Sequence, residues 1–350
     1  MAIAVATHTL RFKHPFGTAH GVRHGTEAVY LKVHRGSVTG HGEVTLPPYC
    51  GVSTEQVLQE LQALGPMLRR AAPEPGPSFR SLAEMGVGSA TRSLIVSAFC
   101  DLISREMGCS ISSLLEIAEA DPLAPPAMVT LGHTEPSRIA DRLAELPLTP
   151  ILKVKLGGPH DEGTLRVLDS LVDKHLFFDG NQGIGTVDRA LELISMVAEE
   201  RIVGFEQPFG RNDLLAHRAL KERTRVRIYA DESIQGPVDL ERCAQAFSGI
   251  NIKLLKCGGL DEALRMLQNA RQAGLKVMLG CMSEGSLGCG TLAHLAPGAD
   301  LLDLDGPWLV SNDPFEGLEM SDGSLRVRGA IGNGISLRES SYLNWSSIGA

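Results

Sequence analysis

The stretch Pro150-Ile151-Leu152-Lys153-Val154-Lys155-Leu156-Gly157-Gly158 decides how the chain is read. Two lysines stand inside an otherwise apolar run. Side chains alternate faces along a strand, so Lys153 and Lys155 share one face and Leu152, Val154 and Leu156 the other. Taken alone, the pattern also fits a solvated edge strand. Similar apolar runs follow it, each ending on a charged group: Phe177-Phe178-Asp179, Val203-Gly204-Phe205-Glu206, Ile228-Tyr229-Ala230-Asp231 and Ile250-Asn251-Ile252-Lys253. From Lys155 to Lys253 these ends recur every 22 to 27 residues. Two more runs end near Cys281 and at Asp303–Asp305. A strand plus a helix has about this length, and a parallel barrel carries its chemistry at the C-terminal strand ends.

Outward from this core, strand and helix alternate from Ala127 on. Strands are predicted over 127–131, 151–156, 176–179, 203–206, 227–231, 251–253, 276–280 and 301–305, with amphipathic stretches such as 186–200 and 259–273 between them. Eight strands at this spacing favour a parallel β/α barrel over an open sheet. No G-x-G-x-x-G follows a first strand, which weighs against a dinucleotide fold. Residues 1–45 read as β, with a hairpin over 27–34 and 38–44 around Arg35-Gly36-Ser37. Before it, residues 14–24 carry three histidines, two glycines and a proline. They read either as an ordinary connection or as a flap over a substrate. Ser53 precedes a helix to Arg70 with Gln56 in capping-box position. Pro73-Glu74-Pro75-Gly76-Pro77 breaks the chain. Helices follow over 89–107, stopped by Gly108, and over 111–119. Asp121-Pro122-Leu123-Ala124-Pro125-Pro126 then marks a domain boundary. The expected organisation is an α+β unit over 1–122, a barrel over 123–310, and a Gly- and Ser-rich segment, 311–350, that returns to the first unit.

Composition narrows the class. The chain has 350 residues, 43% of them hydrophobic, enough for one large core or two domains. Net charge is −8 with both signs spread along the chain, and no basic stripe or aromatic platform points to nucleic acid. Seven cysteines form no C-x-x-C pair, which suits reduced thiols in a cytoplasmic protein. Met1–Leu10 lacks the basic region and apolar core of a signal peptide. No uncharged apolar run reaches the roughly 18 residues of a membrane span.

Asp179, Glu206 and Asp231 each end a different strand, so in a barrel they converge at one mouth. Three packed carboxylates repel one another unless a cation or protons neutralise them. Oxygen-only ligands select a hard divalent ion, with Mg²⁺ the default. Singly, a strand-end Asp also caps the next helix. Lys155 and Lys253 flank the acids in chain order and approach a barrel axis from opposite sides. Near a divalent cation and a second ammonium, such as that of Lys153, a lysine pKa falls and the amine becomes a base. A barrel-interior ion pair is the plain alternative for Lys253. Lys256 faces the other way by parity and reads as supporting. Gly258-Gly259 before a helix also fits a phosphate cradle, as in a metal-independent barrel isomerase. Asp303 and Asp305 face inward by parity. Their natural partner is a substrate ammonium, or else Lys153 or an arginine.

Together Lys153-Val154-Lys155, Asp179-Gly180-Asn181, Glu206-Gln207-Pro208, Asp231-Glu232-Ser233, the run Asn251–Gly259 and Asp303-Leu304-Asp305-Gly306-Pro307 resemble the muconate lactonizing enzyme subgroup of the enolase superfamily. The likeness is greatest to the dipeptide epimerases and covers essentially the whole chain. It implies an α/β fold, a modified (β/α)₇β TIM barrel under an α+β capping domain. Enolase-superfamily sites use a Lys or His base with Mg²⁺. The resemblance implies Asp179, Glu206 and Asp231 as Mg²⁺ ligands, Lys155 and Lys253 as acid/base pair, and Lys153 as a stabiliser of the enolate. It further implies that Asp303 and Asp305 hold a dipeptide ammonium, and that Met282, Ser283 and Glu284 line the pocket. Epimerases of the Ala-Glu type carry an arginine in the flap. Aligned on Phe16-Gly17-Thr18-Ala19, the corresponding residue is His20, with Arg23 three residues on. The expectation is therefore Ala-Xaa with a neutral or hydrophobic Xaa, with Ala-Glu as the alternative. A cycloisomerase, an o-succinylbenzoate-synthase-like enzyme or an N-acyl amino acid racemase would leave the Asp303–Asp305 pair without an ammonium to bind. A non-catalytic dipeptide-binding protein is a further alternative, and a homo-oligomer stays open.

Overall fold

Alternating apolar and polar residues build the first sheet. In the computed structural model, which describes residues 1–19, 21–70, 86–117 and 124–349, β1 (Ala2–Thr18), β2 (Gly21–Arg35) and β3 (Val38–Thr45) run antiparallel in sequence order. Ser346–Ser347 pairs with the free edge of β1. The β2–β3 turn falls at Gly36-Ser37, as the sequence predicts, with Gly36 at φ +62°. The loop expected over 14–24 is mostly strand instead. Phe16, Gly17 and Thr18 pair with Arg23, Val22 and Gly21 after a register shift that begins at Arg11. Pro15 sits inside that shift, where the ladder needs no N–H from it. His20 lies outside the described residues.

Helix α1 (Thr54–Arg70) starts where Ser53 Oγ accepts the Gln56 N–H at 3.1 Å. Helix α2 (Ser89–Met107) ends at Gly108 in the left-handed region. It packs on β3 so closely that a Cβ at Gly40 would lie 2.3 Å from the Ala98 carbonyl oxygen. The Pro73–Pro77 break and residues 121–123 of the expected boundary lie outside the described residues. Of the helix expected over 111–119, the structure describes Ile111–Leu114 as helical, and residues 118 and 119 are likewise outside.

Eight parallel strands follow: β4 (Met128–Leu131), β5 (Ile151–Lys155), β6 (His175–Asp179), β7 (Ile202–Glu206), β8 (Ile228–Ala230), β9 (Gly249–Ile252), β10 (Lys276–Gly280) and β11 (Leu301–Asp303). They pair in chain order, and a parallel bridge between Ala127 and Leu302 brings the last strand back to the first. The expected barrel is thus the observed one, with strand limits within one or two residues. The stretch expected to be helical over 186–200 is shorter, Val187–Ile194. The last strand stops at Asp303, because Gly306–Leu309 begins a helix at Asp305.

The two-residue period sorts every barrel strand. Leu152, Val154 and Leu156 join the core between barrel and helices. Ile151, Met128, Phe177, Tyr229, Met278 and Leu301 form a separate apolar plug inside the barrel. The rings of Phe177 and Tyr229 occupy the space beside Gly204 and Gly249, where a Cβ would lie 2.7 and 2.5 Å from ring carbons. One pleat above this plug, towards the C-terminal strand ends, the inward positions turn polar. That step carries the site.

Candidate active site

The inward residues above the plug are Thr130 (β4), Lys153 and Lys155 (β5), Asp179 (β6), Glu206 (β7), Asp231 after β8, Asn251 and Lys253 (β9 and its end), and Asp303 and Asp305 (β11 and its end). In the strand registers Lys155 stands opposite Asp179 and Asp179 opposite Glu206. All are buried or nearly so, with Asp179 and Glu206 at 0% exposure. Above them opens a cavity of about 340 Å³. Phe16, Lys153, Lys155, Asp231, Lys253, Met282, Ser283, Asp303 and Asp305 all line it.

Ammonium groups are threaded between the acids. Lys153 Nζ lies 3.0 Å from Asp179, 2.5 Å from Glu206 and 2.6 Å from Asp303. Lys155 Nζ donates to Asp179 Oδ2 at 2.6 Å and Lys253 Nζ to Asp231 Oδ2 at 2.8 Å. The pairing of Asp303 with Lys153 is the plainer of its two sequence readings. Asp305 takes the backbone N–H of Thr130 at 2.6 Å.

These contacts set the titration. Burial pushes Asp179 up, but Lys153 and Lys155 overcome it and hold the carboxyl well below the usual range. Asp231 is held low in the same way, burial being outweighed by Lys253 and Lys256. Glu206 is pushed up to about 8, first by burial and then by Asp179. Burial and Asp303 push Asp305 up to about 6. Burial pulls Lys253 down, yet Asp231 and Glu206 outweigh it and its pKa is raised. The acids facing Lys253 are the cause, whereas the lowering expected from sequence belongs to a lysine beside a bound divalent cation.

Among the described residues, no group of three or more His, Cys, Asp or Glu side chains is set as it stands to hold a metal ion. The donor chemistry nevertheless fits a hard divalent cation. The three acids are all oxygen donors on neighbouring strand ends. Glu206 Oε2 is buried and ion-paired with Lys153 Nζ at 2.5 Å. Glu206 also feels both other acids as repulsion, the condition that a cation relieves.

Sequence reasoning missed several residues. Lys256 does not face away: a helical turn, Leu254–Cys257, replaces the strand there and parity lapses. Its ammonium returns to Asp231 Oδ1 at 2.6 Å and to the carbonyls of Asp231 and Asn251. Asn251 Nδ2 donates to Glu206 Oε1 at 2.6 Å, and Gly280 leaves room for it, since a Cβ there would lie 2.3 Å from Asn251 Oδ1. Gln207 Oε1 accepts the backbone N–H groups of Asp231 and Ser233, tying the end of β7 to the end of β8. Asn181, Gln182, Gln207 and Ser283 all take positive φ just past strand ends, a strain that collects at functional sites. The Gly258-Gly259 turn is no phosphate cradle. Gly258 O accepts from Arg92 Nη1 at 2.6 Å, and a Cβ at Gly259 would lie 2.9 Å from Val96, so the turn is packed under α2.

Residues 137–341 match the family model described as "Enolase C-terminal domain-like". The chain is 30% identical to an L-Ala-D/L-Glu epimerase of Bacteroides thetaiotaomicron over 96% of this chain and 88% of that one. A dipeptide epimerase of Enterococcus faecalis V583, solved with Mg and L-Leu-L-Tyr, superposes with a TM-score of 0.84 at 25% identity, covering 96% and 99% of the two chains. One from Cytophaga hutchinsonii, solved with Mg and D-Ala-L-Val, has the same fold, with a TM-score of 0.87 at 24% identity and 99% coverage of both chains. With its carboxylates and lysines on successive barrel strand ends, the chain belongs to the enolase superfamily and is most like the dipeptide epimerases.

Proposed function

We propose that this chain is a Mg²⁺-dependent dipeptide epimerase that inverts the α-carbon of the C-terminal residue of an L,L-dipeptide. The observation that carries this reading is the placement of Lys155 and Lys253. They sit on β5 and at the end of β9, four steps apart in an eight-strand ring and so on opposite walls. Both open on one cavity, and the strands that carry Asp179, Glu206 and Asp231 stand between them in the ring.

Asp179, Glu206 and Asp231 would hold the ion. Bound there, Mg²⁺ supplies Lewis-acid polarisation of the substrate carboxylate. One lysine removes the α-proton from its side of the substrate, and the other, arriving protonated, returns a proton from the opposite side. Asp231 and Glu206 favour the protonated form of Lys253, and a cation shared by those acids opposes that shift. The buried Lys153 ammonium, beside Asp179 and Glu206, steadies the negative charge that develops on the substrate. Asp303 and Asp305 take the dipeptide's α-ammonium, which a cycloisomerase or o-succinylbenzoate-synthase substrate lacks. In the same reading residues 1–122 cap a barrel of residues 123–310, the segment 311–350 returns to the cap, and the protein works in the cytoplasm.

Phe16, Tyr49, Val52, Leu255, Met282 and Leu309 in the cavity wall support a neutral or hydrophobic C-terminal side chain. An acidic side chain is the second reading. Arg23 lines the same cavity, its guanidinium 5.2 and 5.3 Å from the rings of Phe12 and Tyr49. Incubation with Mg²⁺ and a panel of L,L-dipeptides in D₂O, followed by mass spectrometry and chiral analysis, tests the whole. The expected result is one deuterium per inverted α-carbon, abolished by a chelator and restored by Mg²⁺. Alanine at Lys155 or at Lys253 should lower epimerisation roughly 10³-fold. Wild-type turnover in Lys253→Ala, or full activity with chelator, would overturn the scheme. The preferred side chain in the panel decides between the two pocket readings.

A further inference from the structure

Glu43 is 3% exposed and lies on β3, outside the barrel and away from the cavity. Its carboxylate reaches across to the barrel. Oε1 accepts the Gly285 N–H at 2.8 Å and the Tyr30 hydroxyl at 3.3 Å, and Oε2 accepts the Gly288 N–H at 2.7 Å. These glycines open the helix Ser286–Ala293, which follows β10. Two residues along β3, Thr45 Oγ1 donates to the Met282 carbonyl at 3.0 Å. From the far side, Asp313 Oδ2 accepts both the N–H and the hydroxyl of Ser286 at 2.7 Å.

The turn gripped in this way is part of the cavity wall. Met282 and Ser283 line the cavity, and Ser283 is held at φ +68°. Met282 Sδ stands 3.8 Å from the Tyr49 hydroxyl and 4.0 Å from Lys253 Nζ. There is no slack behind it. The Glu284 carbonyl oxygen lies 2.0 Å from where a Cβ at Gly306 would be, and Glu284 side-chain carbons lie 2.8 Å from one at Gly288. A polar group buried this deeply is retained only where its partners satisfy it, and beside the Tyr30 hydroxyl those partners are the first amides of one pocket-bearing segment.

We propose that Glu43 is a positioning residue that, from the N-terminal sheet, seats the 282–285 turn and so sets which dipeptide side chain the cavity accepts. The side-chain part rests on the dipeptide reading above, whereas the seating part does not. The test uses Glu43→Ala and Glu43→Gln in the full chain. By hydrogen-exchange mass spectrometry without substrate, peptides spanning 281–289 should exchange about tenfold faster in Glu43→Ala, as expected for losing one or two buried hydrogen bonds. Peptides from β5 to β7 should be unchanged. Glu43→Gln keeps one acceptor oxygen and should be intermediate, and it decides the matter if the alanine variant does not fold. On the dipeptide panel, KM for the preferred substrate should rise about tenfold with kcat within about threefold of wild type, and the ranking of side chains should shift. Unchanged exchange over 281–289, or a uniform loss across the panel with its ranking intact, overturns the proposal. Should the wild-type chain epimerise no dipeptide, the functional reading fails while the exchange experiment still decides whether Glu43 seats the turn.

Discussion

At the scale of single residues, the site is a problem of charge in a dry place. Asp179, Glu206 and Asp303 share the Lys153 ammonium, Asp179 also meets Lys155, and Asp231 is matched twice, by Lys253 and by Lys256. The second match is structural in its consequences. Lys256→Met removes one ammonium from a buried carboxylate and takes a donor from the Asp231 and Asn251 carbonyls, of which Asp231's keeps the Ile234 N–H. Breaking a buried pair by removing one partner costs about 3 kcal/mol. Urea unfolding of the variant should show a loss of that size. A change below about 0.5 kcal/mol, the range of surface substitutions, would mean that Lys256 contributes nothing there.

At the scale of elements, the barrel strands are short and their inward faces are layered. The apolar plug of Met128, Ile151, Phe177, Tyr229, Met278 and Leu301 closes one end. Its two aromatic rings, 5.3 Å apart, fit only because Gly204 and Gly249 lack side chains. Gly249→Ala should therefore cost about 2 kcal/mol through overpacking. Shrinking the ring with Tyr229→Leu should return part of that loss, since the two changes share one contact. Thermal melts of the single and double variants measure the coupling, and strict additivity would show that the ring is not what the new methyl meets. The same layering explains why the catalytic candidates sit where they do. Two residues further along each strand, the plug gives way to Lys153, Glu206 and Asn251, beneath the open cavity.

At the scale of the whole molecule, buried titratable groups outside the site link stability to pH. Glu43 is pushed up to about 8 by burial, then by Asp313. The folded state therefore binds its proton more tightly than the unfolded state does. That contribution is complete below about pH 4.5 and is lost as pH rises through about 8. Burial, before any other cause, pulls His41 and His217 down to about 4. Their contribution is complete above about pH 6.5 and is lost as pH falls through about 4. Melting temperature should accordingly peak near about pH 6 and decline on both sides. Glu43→Gln should make the alkaline decline shallower, the raised Glu206 keeping a share of it, and leave the acid one in place. An alkaline limb as steep in the variant as in the wild type would remove Glu43 as its source.

Much of this was legible in the chain order. The alternation of Lys153 and Lys155 against Leu152 and Val154, and the recurrence of a charged group after each apolar run, sufficed for the barrel, because the pleat assigns faces by parity and parity is local. Where the backbone left the strand, local reasoning lapsed. Lys256 turned back on a helical turn, and the Gly258-Gly259 turn was buried under α2. Glu43 carries no local mark at all. Its role comes from meeting the amides of Gly285 and Gly288, more than two hundred residues away in sequence. Strand periodicity belongs to neighbouring residues, but the partner of a buried charge is chosen by whatever the closed fold brings beside it, and that was settled only by the tertiary structure.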